Sequence, residues 1–260
     1  MNGPKIKLLI AYDGTRFGGW QKQNTSPKPT VQGTLEDIVS RLFQREVRVI
    51  GASRTDAGVH ALGQVAHFAA PGSLKNHNLV KSLNAMTPDD LMIRSVRMAP
   101  DDFHAIASSN GKIYRYLIHN HRLKNPFRRD RTLWVRRPLD LDLLNQASRH
   151  IIGEHDFKSF QTAGTEVSST IRSIYSAAWR QLPNHLVEFR IQGSGFLKQM
   201  VRNLVGTLLD LEQTRETPEM MKEILDARDR RQALTTAAPQ GLYLVRVLYP
   251  EDLDIRCRKL

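Results

Sequence analysis

Apolar residues in this chain change their period in a fixed order, and the order occurs twice. Ile6, Leu8, Ile10 and Tyr12 alternate with Lys7, Leu9 and Ala11 until Asp13-Gly14 breaks the run, which is how a strand ending in a turn reads. Val31, Leu35, Ile38 and Leu42 then recur at steps of four, three and four, marking one face of a helix. Short strand patterns follow over Val47 to Ile50 and Gln64 to Phe68. Leu79, Val80, Leu83 and Met86 give a second helix closed by Pro88, and Met92 to Met98 alternates again. The first half therefore reads strand, helix, strand, strand, helix, strand.

The second half repeats that order without visible identity to the first. Lys112 to His119 alternates; Asp140 can cap a helix carrying Leu144, Ala147 and Ile151; Thr170 to Trp179 and Leu186 to Ile191 read as strands. Phe196, Leu197, Met200, Val201, Leu204, Val205 and Leu208 make the strongest helical stripe of the chain. Thr217-Pro218 starts a further helix, and Tyr243 to Leu248 supplies a closing strand. This order predicts an α+β protein of two ferredoxin-like (βαββαβ) halves, residues 1–108 and 109–260, with a cleft between them.

Composition narrows the class. A content of 40% hydrophobic residues over 260 positions is enough for a sizeable core, so this is no disordered chain. The formal charge of +12, spread along the whole length, favours a polyanionic partner, although basic residues also serve general solubility. Cys257 is the only cysteine, which excludes an internal disulfide and a cysteine-based zinc site and suits a reducing compartment. The start, Met1 to Ile10, is too short and too charged for a signal peptide, and no run approaches the length of a membrane span, so a cytoplasmic location is expected. The histidines form no metalloprotease or zinc-deaminase pattern, and Gly193-Ser194-Gly195 lacks the rest of a nucleotide loop; neither a metal nor a cofactor is expected.

The stretch Gly51-Ala52-Ser53-Arg54-Thr55-Asp56-Ala57-Gly58-Val59-His60 is where chemistry is best placed. Small residues around Asp56 admit a bulky substrate, and Arg54 can hold a phosphate or keep the carboxylate ionised. The plain alternative is a polar turn with a surface ion pair. Lys112, Tyr114 and Tyr116 share one strand face, a combination that suits stacking on a base while neutralising phosphate, or tyrosines that merely pack in a core. Lys198 and Arg202, four apart, are expected on one helix face beside the apolar stripe, with Asn203 next to them. The loop from Tyr12 to Gln23, rich in glycine, aromatics and bases, could grip an RNA backbone or close over the core with Phe17 and Trp20.

Together these motifs resemble the tRNA pseudouridine synthase A family over nearly the whole length. The resemblance runs through Tyr12-Asp13-Gly14 with Gly19-Trp20-Gln21, Val31-Gln32, Gly51 to His60, Gly63 to Phe68, Asp102-Phe103-His104-Ala105 and Tyr114-Arg115-Tyr116. It continues through Gly153 to Phe157, Phe196-Leu197, Met200-Val201-Arg202-Asn203 and Gly241 to Leu244. It implies a pseudouridine synthase fold, a homodimer without cofactor, and conversion of uridine to pseudouridine at positions 38–40 of the tRNA anticodon stem-loop. It implies Asp56 as the catalytic aspartate, Tyr114 stacked on the target uracil, Arg202 paired with Asp56, and Arg54 in contact with RNA. The resemblance breaks at Ile106, where the family usually has arginine after Phe-His-Ala; a positive group is thereby lost near the hinge between halves, where it bears on how the target base is flipped or held. Two other classes share part of these features: a non-catalytic RNA-binding or RNA-folding protein on the same scaffold, and a glycosidase attacking C1′. The first gives no reason for Asp56, and the second usually needs a second carboxylate that the motif does not supply.

Overall fold

Helices and strands mix along the whole chain in a computed structural model that describes residues 3–23, 27–72, 78–162, 164 and 167–259. The apolar start, which the sequence places from Met1, is thus described from residue 3. In chain order the elements are β1 (Lys5–Tyr12), α1 (Val31–Phe43), β2 (Ile50–Gly51), β3 (His60–Ala69), α2 (Leu79–Asn84), β4 (Leu91–Ala99) and β5 (Gly111–Asn120). Next come β6 (Leu133–Val135), α3 (Leu141–Arg149), β7 (Gly153–Asp156), β8 (Ile171–Leu182), β9 (Leu186–Gly193) and α4 (Met200–Thr214). The chain closes with α5 (Glu219–Ala227), β10 (Leu242–Leu248), α6 (Glu251–Arg256) and β11 (Arg258–Lys259).

Two compact units divide the chain: residues up to Asn110 together with those from Leu244 onward, and Gly111–Tyr243. The sequence places everything after 108 in the second half; the structure instead returns the C-terminal segment to the first unit. The ties are specific. The Lys7 ammonium pairs with Asp254 of α6, Tyr249 donates its hydroxyl to the Ala105 carbonyl at 2.7 Å, and Asn110 N donates to Leu248 O at 3.0 Å. Periodicity cannot announce this return, because a closing strand has the same pattern whichever sheet receives it.

In the first unit β1 lies between β3 and β4, antiparallel to both, with β11 beyond β4 and the short β2 on β3. Ile6, Leu8 and Ile10 are fully buried, and Ile6 stands opposite Phe68, whose ring meets Phe43 of α1 edge-on at 6.0 Å. Helix α1 thus covers the face that alternation marks as apolar. Thr30 caps it by accepting from Gly33 N, and Gln44, at φ 52°, ends it in the left-handed conformation.

In the second unit β5, β9, β8 and β7 follow one another antiparallel, and β6 runs parallel on β5. Tyr114 stands opposite Ile191, and Tyr116 opposite Phe189; all four are buried, so the alternating face of β5 is a core face. The predicted cap at Asp140 is present, its carboxylate accepting from Asp142 N and Leu143 N. One expectation fails locally. Helix α4 begins at Met200 because Gln199 adopts φ 59°, so Lys198 precedes the helix and shares no helical face with Arg202.

Candidate active site

The loop from Gly51 to His60 joins β2 to β3, and its two arms are fastened by different groups. Ala52 N donates to Val65 O at 2.7 Å. Gln64, fully buried, donates through Nε2 to Ser53 O at 2.6 Å, while its Oε1 accepts from Ser53 N and Val65 N, both at 3.2 Å. A side-chain amide can satisfy a backbone donor and acceptor together, so Gln64 replaces the strand partner the loop lacks. Further along, Thr55 O accepts from Trp20 N at 3.0 Å and Thr55 Oγ1 shares a hydrogen bond with the Tyr12 hydroxyl at 2.7 Å. Asp56 O accepts from Val59 N at 3.1 Å, and Gly58 takes φ 79°, closing the turn that carries the aspartate.

The result separates backbone from side chain. Ala52, Ser53, Thr55, Val59 and His60 are buried, Asp56 is half-buried and Arg54 exposed. A rigid loop therefore holds Asp56 partway to solvent with Arg54 outside it, which is what a carboxylate acting on an external substrate requires. The loop from Tyr12 to Trp20 serves as its buttress: Trp20 and Phe17 are each 2% exposed, so these aromatics close over the core.

Trp20 also fixes Gly51. A Cβ on Gly51 would lie 2.2 Å from the Trp20 ring, a distance no real Cβ tolerates. Gly51→Ala is expected to displace the indole and lower stability by about 1–3 kcal/mol through overpacking, seen as a lower thermal midpoint. A midpoint unchanged from wild type would show that the ring has room to move.

Tyr114 and Arg202 belong to the second unit. Tyr114, 5% exposed, sits near the start of β5 with the Phe196 ring edge-on at 5.2 Å. Tyr116 is a core residue whose hydroxyl donates to Ala238 O at 2.7 Å; burial raises its pKa, partly opposed by the Arg202 charge. Arg202 projects from the first turn of α4, its Nε donating to Ala237 O at 2.8 Å, while Ala237 N returns a bond to Arg202 O at 3.0 Å. Asn203, 1% exposed, ties α4 to its surroundings, since its amide donates to Phe160 O at 2.8 Å and accepts from Thr236 Oγ1 at 2.6 Å. Ile106 is 54% exposed. Among the described residues no group of three or more His, Cys, Asp or Glu is placed to hold a metal ion, and no helix is long and apolar enough to cross a membrane.

A carboxylate on a braced loop, a buried tyrosine near the start of a strand and a strongly basic chain fit an enzyme acting on nucleic acid. Residues 8–106 and 147–250 match the model of a family described as tRNA pseudouridine synthase, and the chain belongs to that family. It is 44% identical to tRNA pseudouridine synthase A of Bdellovibrio bacteriovorus, over 98% of this chain and 99% of that one. Similar relatives of the same name occur in Geobacillus kaustophilus, 43% identical over 95% of each chain, and Exiguobacterium sibiricum, 42% identical over 95% of this chain and 98% of that one.

Proposed function

We propose that this protein isomerises uridine to pseudouridine in tRNA, at positions 38–40 of the anticodon stem-loop, with Asp56 as its essential carboxylate. The observation that carries the reading is the near-full-length match to the family combined with a loop that spends its hydrogen bonds on holding Asp56 half-buried. The reaction breaks the bond from ribose C1′ to uracil N1, turns the base while it stays bound, and joins C5 to the same carbon. C5 loses its proton and N1 gains one. Substrate and product have the same atoms, so no co-reactant enters. Asp56 either adds to C1′ or takes a proton from C2′, and both routes need an ionised carboxylate, the ordinary state of an aspartate at neutral pH.

Within this reading Tyr114 stacks on the target uracil, Arg54 binds the RNA backbone and Arg202 is the cation that offsets the Asp56 charge. The strand order β4, β1, β3, β2 in the first unit and the run β5, β9, β8 in the second support a ferredoxin-like plan for each. A homodimer in the cytoplasm completes the proposal and rests on the family resemblance.

Release of tritium from tRNA labelled at uridine C5 tests the function. Wild-type protein is expected to release it in step with pseudouridine formation. Binding of tRNA without release would make this an RNA-binding protein, and free uracil in solution would make it a glycosidase.

A further inference from the structure

Lys112 is the second residue of β5, two before Tyr114 and on the same face of the strand. It stands opposite Gly193 of β9, which in turn stands opposite Ile174 of β8; Arg172, two residues before Ile174, shares that face. Two cations therefore converge at one end of the sheet of the second unit. Both are partly buried, and desolvation lowers the pKa of each, with the Arg172 charge lowering that of Lys112 further.

Among the described residues nothing anionic offsets them. The Lys112 ammonium makes no hydrogen bond or ion pair among the described residues. Arg172 uses Nη1 alone, on the carbonyls of Ser169 at 2.9 Å and Ile171 at 2.6 Å. The carboxylates of the adjoining strand β7 are engaged elsewhere: Asp156 accepts from Thr170 Oγ1 at 2.5 Å and faces Arg228 at 3.6 Å, while Glu154 accepts from Ser173 Oγ at 3.4 Å. Beside them the loop Gly193-Ser194-Gly195 offers little bulk. A Cβ added to Gly195 would come no nearer than 3.6 Å to Arg172 Nε, and Gly193 has no space for one against Ile174 and the Ser173 carbonyl at 2.8 Å.

A half-buried lysine beside an arginine, with no carboxylate among the described residues to balance them, costs the folded protein free energy unless an anion arrives. We propose that Lys112 and Arg172 form a binding site for a backbone phosphodiester of the substrate RNA, adjoining the nucleotide that Tyr114 receives. The spacing agrees. Residues two apart on a strand lie roughly 6–7 Å apart, close to the separation of a base from a neighbouring phosphate. Arg172 can offer its free guanidinium edge to two phosphate oxygens and Lys112 a point charge to a third. The site deepens the proposed function and rests on it, since a phosphodiester is its ligand only if RNA is the substrate.

The test uses the full chain with an unmodified tRNA transcript. Lys112→Gln and Arg172→Gln are each expected to raise Kd and KM about ten-fold, to leave kcat within about two-fold, and to flatten the plot of log Kd against log salt by about one unit of slope for each phosphate no longer neutralised. Lys112→Arg is expected to restore binding and slope. Lys112→Met is expected to raise the thermal midpoint of the RNA-free protein while weakening binding, because it removes an unbalanced charge. Variants with wild-type Kd and salt slope, or a Lys112→Met protein that melts earlier and binds normally, would overturn the proposal and make the pair structural. A wild-type protein that binds tRNA without isomerising it would defeat the functional reading alone, since the salt slopes would still report on the phosphate site.

Discussion

The variant Asp56→Asn is expected to bind tRNA at least as tightly as the parent and to lose pseudouridine formation by roughly 10³-fold or more, about 4 kcal/mol of barrier. Asparagine preserves the shape of the side chain and the Val59–Asp56 backbone bond of the turn, so the loop is left intact. What disappears is the ionised oxygen that either route needs. Removing a negative charge cannot weaken attraction to a polyanion, so binding and chemistry separate in this one variant. Undiminished tritium release from the Asn protein would remove Asp56 from the mechanism altogether.

Gln64→Leu is expected to damage both stability and rate without touching substrate. Leucine fills the same volume but leaves the N–H and carbonyl of Ser53, a residue 8% exposed, without the partners Gln64 supplies. Each buried group left unmade costs about 1–3 kcal/mol, so a loss of about 2–5 kcal/mol follows, or roughly 5–15 °C in thermal midpoint. The same change frees one arm of the aspartate loop, and a misplacement of about 1 Å can lower kcat about 10²-fold. A Leu variant that melts and turns over like the parent would show that the loop is held by its Thr55 arm alone.

Legibility in the sequence followed the range of the forces involved. Alternation over Ile6–Tyr12 and the four-three-four spacing of Val31, Leu35, Ile38 and Leu42 report which side of an element is buried, and β1 and α1 lie where those patterns place them. Side-chain caps are equally local, which is why Asp140 was readable. Gln199 was not, since glutamine carries no preference for the left-handed backbone it adopts at φ 59°. At the site, the type and spacing of residues marked Asp56, Arg54, Tyr114 and Arg202 as candidates. The role of Gln64, eight residues beyond Asp56, and the meeting of Lys112 with Arg172 arise from strand register, which a single sequence does not carry.

The return of Leu244–Leu260 to the first unit governs the order in which the protein can mature. Synthesis usually lets the N-terminal portion of a chain fold first. Here that portion emerges without β10, Tyr249 and Asp254, so Lys7 and the Ala105 carbonyl wait for partners made last. The stretch Gly111–Tyr243 needs none of residues 244–260 to fill its own unit. The carboxylate-bearing unit is therefore finished only once residues 244–260 are made, and a chain cut after Tyr243 would carry Asp56 on a sheet lacking its final strands.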